Sequence, residues 1–599
     1  MRQETEHVEV VVIGSGAGGA PLTHTLVRAG HQVLVLEKGP LLRTQAQSPD
    51  GLSDFKRDES FATGSEKRIT VQGVANTGES YFSSHVEPDL NDEPHVYRDG
   101  DGQDRVTIEG YTAQVVGGGT QLYGGVSPRF TPEDLRLRSL NEGRSDLRAD
   151  PGGDVVREAR DWPLGYAELE PYYGQAEHLI GVNGTWEGQA KTPSADHYQP
   201  PLEPNPISAY AAAGMDALGL RRYRTPLAVI TEDHAPSGRT VPADRESIKT
   251  AFVNRYGDPL GLKSNTWVSL LAPLRAVGQG FELRANCCVT HLEAEGARVA
   301  RVHYRDPGGT ARTVSAQVVV VACSAIESVR LLLLSGAADP DFERRINGNG
   351  LLGAYFLTHC FGGAQCAVAT RADKSRTLDS DWATDHCARP EWFRERGLWA
   401  GGVIYNNTSD GALPISLART WHAMDMDNMW KGYLYDTSIL GDGFEDYLDA
   451  GFGRRLSLAF MANQVPQRAN RVELHPRVKD KWGRPVAYII KTWHGHDRAL
   501  MDDLAEQCRA ILVNGGEVRD VSSGSVGGSV VRIANHVLGG ARFGADARDS
   551  VLDADCRAWN FDNLYVTDGS FMPTSGSGNP TLTIEANSFR VGDTLLKRL

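Results

Sequence analysis

The chain has 599 residues, 40% hydrophobic and 23% charged, a composition that supports a large buried core and excludes disorder as the main state. Its net charge of −14 excludes the broadly basic face that phosphate-rich nucleic acid requires. Its longest apolar runs, 318–325 and 329–334, fall well short of the ~20 residues of a membrane helix. In chain order, residues 9–13 (EVVVI) form the first strand, and Gly14-Ser15-Gly16-Ala17-Gly18-Gly19 the turn after it. Residues 20–29 read as a helix closed by Gly30, and 32–36 as a second strand ending at Glu37, which completes a βαβ unit. The polar stretch 41–105 reads as excursions, and 114–125 (QVVGGGTQLYGG) as a second glycine-dense turn. Residues 166–180 read as an amphipathic helix, and 198–206 as a proline-rich connection. Strands are predicted at 281–283 and 289–292, a hairpin pair at 298–304 and 313–322, and a helix at 326–334. A mixed region follows, with a hairpin near 471–491, before a strand at 564–567 and a final helix at 583–596.

Nucleotide-domain character at the start, middle and end implies an α/β fold: one discontinuous Rossmann-like domain with a second, α+β domain inserted. The boundaries fall at 1–160, 269–361 and 531–599 for the first, and at 161–268 and 362–530 for the second. Within the first turn, Gly14 allows the tight bend, Gly16 lets backbone approach a pyrophosphate, and Gly19 lets helix and strand pack closely. The helix N-terminus supplies unpaired N–H groups. Glu37, 18 positions after Gly19, suits ribose hydroxyls and disfavours a 2′-phosphate. This unit alone does not choose between FAD and NAD. The eight cysteines contain no CxxC pair and read as reduced, buried thiols. No signal peptide pattern opens the chain, so the expected location is the cytoplasm.

Five segments in order resemble the glucose-methanol-choline (GMC) oxidoreductases, flavoproteins that oxidise alcohols. They are VVVIGSGAGG…VLVLEKG, VVGGGTQLYGG, VVVVACSAIESVRLLLLSG, NRVELHPRVKDKWGRPV and NHVLGGARFG…NLYVTDGSFMPTSGSGNPTLTIEANSFRVGD. The last is most similar to the branch holding pyranose oxidases and gluconate- or fructose-dehydrogenase flavin subunits. The resemblance implies the GMC fold, with an FAD-binding domain and an inserted substrate-binding domain. It places FAD against Gly14, Ser15, Gly16, Gly18, Gly19, Glu37, Gly117, Gly118, Gly119 and Thr120. Tyr123 is expected beside the flavin ring, the Val289 backbone at the adenine, Asp568 near the ribityl chain, and Thr581 and Leu582 at the N1–O2 edge. Leu122 stands where some relatives carry a histidine bonded to the flavin, which implies non-covalent FAD. Asp568 could equally cap the segment that follows its strand.

The resemblance also places His536 and Asn579 over flavin N5, His536 as the base that takes the hydroxyl proton and Asn579 as the group that orients the oxygen. His359 reads as structural. His494 and His496 have an HxH spacing but no evident third ligand, so no metal is expected. Trp382, Trp392, Trp399, Trp421 and Trp430 suit either a sugar-stacking wall or core and lid packing, with packing favoured. Stretches 201–268 and 371–441 match no pattern. The expected enzyme oxidises a CH–OH group of a sugar, glycoside, aminosugar or other polyhydroxylated molecule and passes electrons to oxygen or another acceptor. It needs neither nucleic acid nor membrane. The alternatives are a lyase or photochemical decarboxylase on the same scaffold, or a flavin-free binding protein.

Overall fold

Runs of β-branched residues with no polar alternation belong to strands covered on both faces, and three such runs form the centre of the molecule. Strand Glu6–Ile13 lies between Val33–Leu36 and Ala311–Val321, parallel to both; Val10, Val11 and Val12 have no exposed surface. Phe281–Arg284 extends the sheet beyond Val33–Leu36. Leu564–Val566, from the far end of the chain, pairs in parallel with residues 319–321 of the long strand. The other half of that strand pairs with Arg298–Arg305, which pairs in turn with Cys288–Glu295 at the sheet edge. Three separated stretches of sequence therefore build one sheet. The computed structural model describes residues 6–54, 67–81, 88–107, 110, 113–243, 258–372, 380–407, 445–446, 451, 453–528 and 536–599.

The first helix, Ala20–Arg28, packs on the last, Thr581–Leu596. The last helix begins two residues earlier than its periodicity suggests, directly after Pro580. Helix Tyr166–Ile180 lies against it, with the Tyr173 hydroxyl 2.7 Å from Thr583 Oγ1, so this helix packs with the nucleotide unit.

A six-stranded antiparallel sheet forms the inserted region, in the order Val518–Ser525, Cys360–Val368, Arg455–Ala462, Gly402–Asn407, Trp382–Thr384 and Tyr223–Arg224. Helix Gly495–Asn514 covers it. The hairpin Arg471–Lys479 with Pro485–Ile490 forms a third sheet with Val96–Arg98 and Asp104–Val106. The polar excursion thus contributes two strands, each only three residues long, too short to show alternation. Trp392 and Trp399 are buried in the core, while Trp382 lies under the guanidinium groups of Arg222 and Arg224. Trp421 and Trp430 lie outside the described residues. All eight cysteines are free thiols. Among the described helices, none is long and apolar enough to cross a membrane.

Candidate active site

The first glycine turn is fixed by close contacts. Gly14 has φ +104°, and a Cβ there would stand 2.2 Å from the Ala322 carbonyl oxygen. A Cβ on Gly19 would meet the Gly14 oxygen at 2.1 Å, and one on Gly18 the Asp568 Cα at 2.8 Å. Gly16 and Gly119 differ, because their missing side chains would meet nothing nearer than 3.8 Å and 4 Å respectively. Those faces leave room for a ligand. Ser15 ties the two glycine turns to the acid: its hydroxyl donates to Glu37 Oε2 at 2.6 Å and accepts from the Gly117 N–H at 2.9 Å. The Ser15 and Gly39 N–H groups also donate to Glu37. Burial raises the Glu37 pKa, and these donors oppose the shift. Thr266, which no sequence signal singles out, clamps the arrangement by donating to the Ser15 carbonyl at 2.9 Å.

The remaining sequence-predicted contacts divide into backbone and side-chain roles. Thr120 turns its hydroxyl inward to the Gly117 carbonyl at 2.6 Å, so it shapes the loop. The Tyr123 hydroxyl donates to the Ser264 carbonyl at 2.5 Å. Val289 sits on the edge strand opposite Tyr304, where backbone groups on the open side have no ladder partner. A cavity of about 280 Å³ is bordered by Lys38, which follows Glu37 in the chain, and by Glu93, Gln114, Asn286, Cys288 and Lys481. Both Asp568 oxygens are engaged, by the Ser570 N–H and hydroxyl and by the Ser328 hydroxyl. The Asp568 side chain therefore caps the short Gly569–Phe571 helix, while its backbone closes on Gly18. Thr581 and Leu582 lie in the first turn of the last helix, whose N–H groups have no intrahelical acceptor.

His536 and Asn579 come from different turns. Short strand Leu538–Gly539 pairs with Phe356–Leu357 in a register of Leu357 to Leu538. Continued by two residues, that register sets His359 opposite His536, and their Nδ1 atoms are 3.2 Å apart. Burial alone pushes His536 down to about 4, which leaves its ring neutral at physiological pH. Asn579 follows a turn locked on several sides. Gly576 has φ +78°, and a Cβ there would enter the Phe130 ring at 2.1 Å. The Gly576 N–H donates to Asn463, and the Ser577 hydroxyl donates to buried Asp134 at 2.6 Å. The Asn579 Oδ1 is enclosed yet has no hydrogen-bond partner.

Glu585, one turn into the last helix, escapes sequence reasoning because it looks like an ordinary polar helix position. It is 2% exposed, its Oε1 has no hydrogen-bond partner, and burial pushes its carboxyl up to about 8. The folded protein therefore holds a proton that the unfolded chain releases, and stability falls as pH rises from ordinary glutamate values to about 8. Glu585→Gln removes that loss. The expected result is a variant several degrees more heat-stable than wild type at pH 8.5 and equal to it near pH 4.5, read by thermal melting of the flavin-loaded proteins.

The two histidines of the HxH pair have different surroundings. His496 binds the Arg148 carbonyl through Nδ1 at 2.6 Å and accepts the Trp399 N–H at Nε2. His494 caps its helix through Nδ1, and the fold sets Asp150 and Asp154 beside it, with ligand atoms of the three within 4.8 Å of one another. Carboxylates that the HxH spacing does not reveal therefore do stand there, Asp154 also being paired with Arg157.

The open faces of Gly16 and Gly119 beside Glu37 leave room for a dinucleotide, and the enclosed, unpartnered Asn579 oxygen leaves a polar group for a ligand. Residues 234–360 and 466–588 match family models described as GMC oxidoreductase, and 9–68 match one described as FAD binding domain. The chain is 30% identical over 594 residues to paromamine 6′-oxidase of Streptomyces fradiae, covering 97% of this chain and 90% of that protein. It is 26% identical over 619 residues to 2-methyl-1,2-propanediol dehydrogenase of Mycolicibacterium austroafricanum, covering 100% and 97%. The crystal structure of pyridoxine 4-oxidase from Mesorbium loti shares the fold, with a TM-score of 0.58, 17% identity and coverage of 98% and 99%.

Proposed function

Because the chain belongs to the GMC oxidoreductase family, enzymes that act on alcohol groups with FAD, we propose that His536 and Asn579 are its catalytic pair. The observation that carries this reading is the contact of a neutral histidine, His536, with His359, whose ring lies against the backbone of the 575–578 turn that leads directly into Asn579 and its unpartnered amide oxygen. When bound, FAD supplies the acceptor for the hydride that leaves the carbinol carbon. His536 takes the hydroxyl proton, so the alcohol loses one proton and one hydride and becomes a carbonyl. Asn579 holds the oxygen in place through its side-chain amide. Gly16 and Gly119 bring backbone to the pyrophosphate and flavin, while the N–H groups of Gly117 and Gly118 are held by Ser15 and Val115 and shape the loop rather than meet the cofactor as its sequence suggests. Glu37 holds the ribose, and Leu122 leaves FAD unbonded to the chain. Backbone donors of Thr581 and Leu582 favour negative charge at the pyrimidine edge. The substrate is a small polyhydroxylated molecule, and an aminosugar alcohol suits both the net charge of −14 and the likeness to paromamine 6′-oxidase.

Anaerobic mixing of the yellow protein with paromamine, 2-methyl-1,2-propanediol and glucose in the dark tests this reading. Bleaching of the flavin by at least one of them, with a carbonyl product in equal amount, is expected. Bleaching by none, with flavin that a chemical reductant still bleaches, would refute this substrate class. Admission of air then separates an oxidase, which recolours fast, from a dehydrogenase. The low pKa of His536 sets a further expectation: because the ring is already neutral, kcat/KM holds level from about pH 8 to 5 and drops only as pH approaches about 4. A loss of activity beginning near pH 7 would contradict it.

A further inference from the structure

We infer that His359 is a positioning residue for this reaction: its Nδ1 accepts the Nδ1 proton of His536 and so leaves His536 Nε2 free to take the substrate proton. The inference rests on the reading of His536 as base and goes beyond it to the group that fixes its tautomer.

The geometry is specific. The two Nδ1 atoms are 3.2 Å apart, and the rings stand edge to face at 83°. His359 has no exposed surface, and the pairing of Phe356–Leu357 with Leu538–Gly539 holds it in register with His536. Two neutral imidazoles can meet at Nδ1 only when one carries the hydrogen and the other the lone pair. A hydrogen on His359 Nδ1 would leave His536 with its proton on Nε2, where it could not act as a base. The competent arrangement is the reverse, with His536 protonated at Nδ1 and His359 at Nε2. Backbone carbonyls of Ser575, Gly576 and Gly578 lie close to the His359 ring and favour a proton on it, although burial and His536 outweigh them. His359 Nε2 is buried and has no hydrogen-bond partner. Burial alone shifts His536, and the group its Nδ1 meets is the imidazole of His359.

When His536 gains the hydroxyl proton at Nε2, its Nδ1–H bond to His359 becomes charge-assisted and strengthens. His359 neither gains nor loses a proton, and no electron passes through it. Its reach toward the Ser575–Gly578 turn also links the base to the segment that carries Asn579.

The test compares flavin-loaded wild type with His359→Leu, His359→Asn and His536→Ala, using whichever of paromamine, 2-methyl-1,2-propanediol and glucose bleaches wild type. Asparagine keeps an acceptor oxygen near the place of Nδ1, whereas leucine keeps only bulk. The expected result is a rate of flavin reduction at saturating substrate about 10–100-fold lower in His359→Leu, the scale on which orienting partners act. KM, the flavin spectrum and the reduction potential of the flavin stay unchanged. The acid limb of the rate moves to lower pH, because the cation of His536 has lost its acceptor, and His359→Asn recovers most of the rate. Wild-type reduction by His359→Leu would overturn the inference, as would an asparagine variant no better than leucine with an unmoved limb. If leucine prevents folding, the rate and acid limb of His359→Asn against wild type decide, with a large loss and no shift overturning it. A His536→Ala protein that reduces normally would instead refute the reading of His536 itself.

Discussion

His536→Ala is expected to keep its yellow flavin and lose substrate-driven reduction by about 10²–10⁴-fold, the range associated with removing a positioned base. The reasoning begins with burial. His536 is held neutral, and its partner is another imidazole rather than a carboxylate. In the proposed mechanism it takes up a proton when the alcohol supplies one in the transition state, and releases it readily afterwards. Alanine leaves the ladder of Leu538–Gly539 with Phe356–Leu357 in place, because that ladder is made by backbone. The flavin turns lie elsewhere in the chain, so flavin content is the control. A variant that retains flavin and reduces at the wild-type rate would remove His536 from the chemistry.

Gly14→Ala is expected to yield protein with little or no flavin and a lowered melting temperature. Two costs combine at this residue. The φ of +104° is strained for any residue with a Cβ, at about 1–3 kcal/mol. The new methyl group would also stand 2.2 Å from the Ala322 carbonyl oxygen, which is backbone of the central sheet and has little room to retreat. Gly30→Ala separates the two, since φ is +97° there but nothing lies within 4 Å. It should cost only the backbone term and keep its flavin. Gly119→Ala completes the comparison: its Cβ meets no protein atom within 4 Å, so the chain should fold normally while its affinity for FAD falls. Full flavin content in Gly119→Ala would mean that this face does not border the cofactor.

Much of the nucleotide unit was legible because its signals are local. The valine runs, the glycine turn and Glu37 lie within 32 residues of one another, and each has a period or a spacing. The edges were not. The first strand begins at Glu6 because Glu6 pairs with Val314 and is held by Arg284, both remote in sequence. The strands Val96–Arg98 and Asp104–Val106 lie in polar sequence; the first owes its existence to the hairpin strand Pro485–Ile490 that pairs with it, and the second to the first. The contact between His359 and His536 spans 177 positions. It depends on a ladder two residues long, which no periodicity could reveal, so His359 reads from sequence as merely structural. Glu585 failed for another reason: the last helix is buried on most of its surface, and a lone acid in such a helix reads as its wet face. Asp568 shows the converse, since its place after a strand fits both a cofactor contact and a cap, and its side chain is a cap.

In the proposed reaction the enzyme removes a hydride from a CH–OH carbon while His536 takes the hydroxyl proton. Its most direct test is anaerobic flavin reduction with a substrate deuterated at the carbinol carbon, measured in wild type and in His536→Ala. The expected result is slower bleaching of wild type by the deuterated than by the protiated alcohol, and almost no bleaching of the variant by either. Equal rates for both isotopes in wild type, at saturating substrate with mixing and binding fast, together with undiminished bleaching of His536→Ala, would contradict the account.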